Sequence, residues 1–93
     1  MARVVIPANS WVEIISELSL SFGVSYTTSN EGNSVLQVLT TEDIYNPPIG
    51  EPYSLGVQQA KDGIESWIDH TAGNGKGIWV YSHDLPGQLE VHI

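Results

Sequence analysis

The chain contains no cysteine, which excludes a disulfide framework, a thiolate metal site and a cysteine nucleophile, and leaves the redox compartment open. Basic side chains are almost as scarce: three Lys+Arg stand against eleven Asp+Glu, for a net charge of −8. That sign opposes sequence-blind attraction to phosphate backbones and to anionic lipid, so neither nucleic acid nor a membrane is an expected partner. No run of about 18 apolar residues is present to span a bilayer. The opening Arg3-Val4-Val5-Ile6 meets Pro7 too early for the apolar segment of a signal peptide. A soluble chain without an export signal is therefore expected. Chains divide into domains only well beyond 93 residues, so a single domain over 1–93 is expected.

Helix-forming vocabulary is also thin. Ala, Met, Lys and Arg together number 8, while Val, Ile, Thr, Tyr, Phe and Trp number 31. A further 33 residues are Gly, Pro, Asn, Ser or Asp, clustered at short intervals as turn residues are. This composition predicts an all-β fold, a small antiparallel β-sandwich of jelly-roll-like type with about 6–8 short strands, connected as a meander or Greek key.

Along the chain, Arg3-Val4-Val5-Ile6 reads as a strand stopped by Pro7, with a turn at Asn9-Ser10. Residues 12–22 alternate: Val12, Ile14, Leu18, Leu20 and Phe22 fall on one face, Glu13, Glu17, Ser19 and Ser21 on the other. The same letters fit a helix opened by the capping box Ser10-x-x-Glu13 and closed at Gly23, but β-branched residues and serines in the middle favour the strand. Val24 to Ser29 alternates again, and the turn Asn30-Glu31-Gly32-Asn33 predicts a hairpin with Ser34–Thr41. The segment from Glu42 to Pro52 carries three prolines and is expected to be the longest loop. Tyr53 to Val57 reads as a strand, and Asp62-Gly63 as a hairpin turn into Ile64–Ile68, with a helix over 57–68 as the alternative. Gly73-Asn74-Gly75-Lys76-Gly77 is a loop or primed turn. It lacks the Gly-x-x-x-x-Gly-Lys-Ser/Thr pattern and leads into a strand, Ile78-Trp79-Val80-Tyr81, where phosphate binding needs a helix. Leu85-Pro86-Gly87 reads as a type II turn. The last strand, Gln88–Ile93, places Leu89, Val91 and Ile93 opposite Glu90 and His92.

None of the polar groupings has the spacing of a reactive site. Ser66, Asp69 and His70 lie close in sequence, but no serine sits in a Gly-x-Ser-x-Gly elbow. His83-Asp84 with His92 offers metal-ligand types without a recognised spacing. Glu13, Glu17, Glu65 and Glu90 fall opposite apolar faces, as solvated side chains do rather than glycosidase pairs. Glu42-Asp43 and Glu51 flank the proline loop without a calcium-loop pattern. The expectation is a protein with no catalytic residues, no metal and no cofactor.

The aromatic residues point instead to contacts. Ile78 and Val80 alternate with Trp79 and Tyr81, so this strand is apolar on both faces and needs cover on each. One cover is the facing sheet; the other is expected to be a neighbouring subunit, touching Trp79 and Tyr81 and, on the strand read over 11–22, Trp11 and Ile15. A sparse core that absorbs the tryptophans is the competing account.

Three segments carry a resemblance. They are Val5-Ile6-Pro7-Ala8-Asn9-Ser10-Trp11-Val12-Glu13-Ile14, Gly23-Val24-Ser25-Tyr26-Thr27-Thr28-Ser29-Asn30, and Gly77-Ile78-Trp79-Val80-Tyr81-Ser82 followed by Gly87-Gln88-Leu89-Glu90-Val91. With the strand layout, they make the chain similar to the small β-sandwich structural proteins of tailed bacteriophages, the capsid decoration (cement) and head-fibre proteins. The motifs are loose, and Ala60–Asp62 and Trp11–Phe22 depart from the layout. The resemblance implies a homotrimer without chemistry of its own, bound to the major capsid protein on the virion surface and made in the host cytoplasm. Ile44, Tyr45 and Ile49 on the proline loop are then the expected capsid contacts, although the same loop also reads as a solvated connection. A tail- or fibre-associated adaptor, or a module recognising a cell-surface glycan, is the alternative.

Overall fold

The computed structural model describes residues 2–60, 67–71, 73 and 76–92, with the backbone alone for Tyr53 and Trp67–Thr71. Eight strands and one helical turn follow in order: β1 (Ala2–Ile6), β2 (Trp11–Glu13), α1 (Ile14–Glu17), β3 (Ser25–Asn30), β4 (Val35–Thr41), β5 (Val57–Gln59), β6 (Trp67–Thr71), β7 (Gly77–His83) and β8 (Gly87–His92), with a 3-10 turn at Pro52–Ser54. They form two four-stranded sheets, ordered β1-β8-β3-β6 and β2-β7-β4-β5, and every pairing is antiparallel. This is the jelly-roll order: β4 pairs β5, β3 pairs β6, β2 pairs β7 and β1 pairs β8, each pair nested outside the last.

The core lies between the sheets. Val4 and Ile6 of β1, Leu89 and Val91 of β8, and Tyr26 of β3 face Leu36 and Val38 of β4 and Ile78 and Val80 of β7. Period-two alternation produced these faces, and Leu89 and Val91 are buried opposite Glu90 and His92 as expected. Ile93 lies outside the described residues.

Among the described strands, only β4 and β5 are neighbours both in sequence and in a sheet; every other consecutive pair lies in different sheets. The predicted hairpin between 24–29 and 34–41 is therefore not formed. Asn30 explains why. Its amide donates to the carbonyls of Ser34 (2.7 Å) and Gln59 (2.9 Å), and its oxygen accepts from Gly32 N (3.0 Å). The turn becomes a corner pinned in the seam between sheets. Thr28 and Gln59 exchange two hydrogen bonds nearby, and Ser34 Oγ meets Ser82 Oγ at 2.7 Å. Paired in this way, buried polar groups cost little and fix which strands face each other.

The strand expected over 12–22 stops after Glu13, and neither alternation nor a full helix follows. The Glu13 carboxylate accepts from Ile15 N (2.9 Å) and Ser16 N (2.6 Å), closing one helical turn that buries both Ile14 and Ile15. Its Oε2 also accepts from Ile78 N of β7 at 2.9 Å. Glu13 is thus a buried N-cap and not the solvated side chain that alternation implies. Leu18, Leu20 and Phe22 pack against the core from an irregular segment, turned by Ser19 and Gly23 at positive φ.

Two further readings are corrected. Tyr53–Val57 is not a strand; the 3-10 turn comes first and β5 begins at Val57. The left-handed residue after β7 is Asp84 (φ 67), and Gly87 belongs to β8. A Cβ on Gly87 would lie 2.6 Å from Leu36 Cδ2 and 2.7 Å from Ser34 Oγ, so a side chain there would force these buried neighbours to shift; space, not a type II turn, favours the glycine. The Asp62-Gly63 turn, Ile64, Glu65, Ser66 and Asn74-Gly75 lie outside the described residues. β5 and β6 fall in different sheets, which removes both the hairpin and the continuous helix read over 57–68.

Candidate interaction surface

The loop from Glu42 to Gly56 folds back over the outer face of the β2-β7-β4-β5 sheet. Thr41 Oγ1 donates to Asp43 O (2.8 Å), and Trp79 Nε1 donates to the same carbonyl (3.1 Å). At the other end, Gln37 Nε2 donates to Leu55 O at 2.5 Å. Gly77 permits the approach, because a Cβ there would stand 2.5 Å from Asp43 O. This loop supplies the second cover that the two-faced apolar strand required. Trp79 is buried within its own chain, and Ile15 is buried in the core. Both are therefore corrected as subunit contacts. Trp11 and Tyr81 remain half-buried, with ring centroids 5.2 Å apart and planes tilted by 55°.

Within the loop, Asp43 makes a tight Asx turn: its Oδ1 accepts from Tyr45 N and Asn46 N, both at 2.8 Å, and its Oδ2 accepts from Asn46 Nδ2 at 3.3 Å. These bonds from the Asn46 and Tyr45 amides favour the charged form and hold the Asp43 carboxyl below the usual carboxylate range. The turn aims side chains outward. Tyr45 is 81% exposed and Ile49 is 95% exposed, the two most exposed large apolar residues described. Ile44 is half-buried and packs against the core, so it presents less surface to a partner than Tyr45 and Ile49 do.

His83 lies next to Tyr81 along the same outer face, with ring centroids 5.0 Å apart. Its Nε2 meets Gln37 Oε1 at 3.2 Å, so a chain of polar groups runs from β7 through β4 to the loop at Leu55. Burial pushes the His83 imidazole below its ordinary pKa, against the opposing pull of Asp84 and Glu51.

The other sheet's outer face brings Ser29, His92 and Glu31 together, a grouping the spacing argument had not named. Ser29 Oγ donates to Glu31 Oε1 (3.0 Å) and meets His92 Nε2 at 3.1 Å. Arg3 and Glu90 form an exposed ion pair across β1 and β8 at 2.8 Å. Among the described residues there is no pocket and no group of three potential metal ligands. No helix of the described residues is long and apolar enough to cross a membrane.

Among the described residues, the geometry thus defines an eight-stranded antiparallel jelly roll whose most exposed large apolar side chains sit on one braced loop. No protein-family model, curated protein or solved structure matches the chain.

Proposed function

We propose that the chain is a non-enzymatic structural protein of a virus particle, a capsid decoration protein that binds the outer capsid surface as a homo-oligomer and stabilises the head. One observation carries this reading: Tyr45 and Ile49 stand almost fully exposed on a loop anchored at Asp43 and Leu55. Exposed aromatic and aliphatic side chains on a pre-ordered loop lose little conformational entropy on docking, which is what a protein contact needs. Several such loops carried by one oligomer would hold a capsid lattice by multivalency, so modest single contacts suffice. The half-buried Trp11 and Tyr81 are the remaining side chains assigned to contact between subunits. The jelly roll by itself serves many activities and does not decide among them.

Co-sedimentation with head shells that lack this protein tests the reading. Tyr45→Ala combined with Ile49→Ala is expected to leave the thermal midpoint of the free protein unchanged. Shell affinity should fall at least ~30-fold, the loss of two well-packed interface side chains at about 1 kcal/mol or more each. Wild-type protein that fails to bind shells would end the capsid reading. The Trp11–Tyr81 ring pair favours a second reading, a tail- or fibre-associated adaptor or glycan-recognition module. Shell binding unaffected by the double substitution but lost in Trp11→Ala would move the contact to that face.

A further inference from the structure

We infer that the surface recognised by the proline loop is a protein recess that is apolar at its floor and lined by Lys or Arg at its rim. This rests on the reading of the loop as the docking element and adds the chemistry of its partner. Tyr45 and Ile49 are the apolar knobs. They are flanked within the same loop by Glu42, whose side chain is 88% exposed, and by exposed Glu51. Lys76 is the one described cation that reaches the loop, and Glu42 holds it at 2.8 Å. The other described cation, Arg3, is held by Glu90 on the opposite sheet. Glu51 makes no ion pair among the described residues, and its backbone carbonyl, not its side chain, caps the 3-10 turn through Ser54 N (3.0 Å) and Ser54 Oγ (2.8 Å). Its carboxylate is therefore spare for a partner's cation.

A chain of net charge −8 is repelled by acidic and steered toward basic surfaces, and charged rims around an apolar centre set association rate and partner choice. A neutral apolar recess would leave Glu51 facing desolvation without compensation. A basic polymer such as a polyamine-coated surface would satisfy the Glu51 carboxylate but leave Tyr45 and Ile49 in water. The two features together select a protein surface that offers both.

Two measurements test this. A random-peptide display library is panned against the wild-type protein, with counter-selection on the Tyr45→Ala/Ile49→Ala protein. Peptides that combine Leu, Ile or Phe with Lys or Arg are expected. Enriched peptides without basic residues, or no loop-dependent enrichment, would overturn the inference. In the second, shell binding is titrated from low to high salt with wild type and Glu51→Lys. Raising salt from about 0.05 to 0.5 M is expected to weaken wild type at least ~10-fold, and the substitution to weaken low-salt binding by a similar factor. Salt-insensitive binding of both would refute the basic rim while leaving the capsid reading intact. Basic, apolar, loop-dependent peptides together with absent shell binding would do the reverse.

Discussion

Glu13→Ala is expected to lower unfolding free energy by about 3–5 kcal/mol, a large share of the roughly 5–15 kcal/mol that holds a domain of this size together. The substitution removes the acceptor of three backbone amides, Ile15, Ser16 and Ile78. Ser16 is exposed and its amide can turn to water. Ile15 and Ile78 are buried, so their amides lose an acceptor without a replacement, at about 1–3 kcal/mol each. The helical turn then has no cap, and the tie between β2 and the start of β7 is cut. Urea denaturation at neutral pH measures the effect. Glu17→Ala, in the same helical turn but exposed, should change stability by no more than about 0.5 kcal/mol. Equal losses in the two variants would show that the Glu13 carboxylate is not the anchor described.

Gly56→Ala should be nearly as damaging, at about 2–5 kcal/mol, because two costs coincide. The backbone there is left-handed, with φ at 67°, which costs a residue with a Cβ about 1–2 kcal/mol. That Cβ would also overlap the Val38 carbonyl and lie 3.0 Å from Leu39 Cβ, adding an overpacking cost of about 1–3 kcal/mol. Relief requires β5 to move off β4, and Leu55, whose carbonyl holds the loop to Gln37, moves with it. Gly23→Ala provides the contrast. Its φ is also positive, at 76°, but nothing lies within 4 Å of the added methyl, so only the backbone cost of about 1–2 kcal/mol applies. A Gly56 variant no worse than the Gly23 variant would mean that the β4–β5 junction tolerates displacement.

Glu13 also marks where sequence reasoning stops. Strand positions were legible wherever one face is buried and the other solvated. β8 shows Leu89 and Val91 inside and Glu90 outside, and β7 was recognised as apolar on both faces. Sheet membership was not legible. Asn30-Glu31-Gly32-Asn33 has hairpin composition, and the outcome is decided by Asn30 bonding to Gln59, 29 residues away. Glu13 sits at the right parity for a solvated residue. The signal that it begins a helical turn was present in the capping-box spacing from Ser10, but the cap proves to be Glu13 itself. The cover over Trp79 was sought in another subunit because no local pattern shows that a distant proline loop returns to that face. The same loop is legible as the longest connection because its prolines exclude a ladder, but nothing in the spacing separates Ile44, which packs against the core, from Tyr45 and Ile49, which stand exposed.

The nested strand pairing has a consequence for how the molecule reaches this state. Residues paired across β1 and β8, such as Ala2 and Val91, are almost as far apart in the chain as two residues can be, a contact pattern that ordinarily makes folding slow. Nesting shortens the search. Once Leu36 and Gln59 have met, β3 and β6 are already neighbours, and each outer pair has to close only the short connections beyond the pair inside it. Assembly is therefore expected to run outward, with β4 and β5 gaining amide protection first in pulse-labelled refolding and β1 and β8 last. Early protection of β1 would refute that order. On this route the loop bearing Tyr45 and Ile49, which joins β4 to β5, is closed at the first step, and the strands that complete the two sheets are added around it.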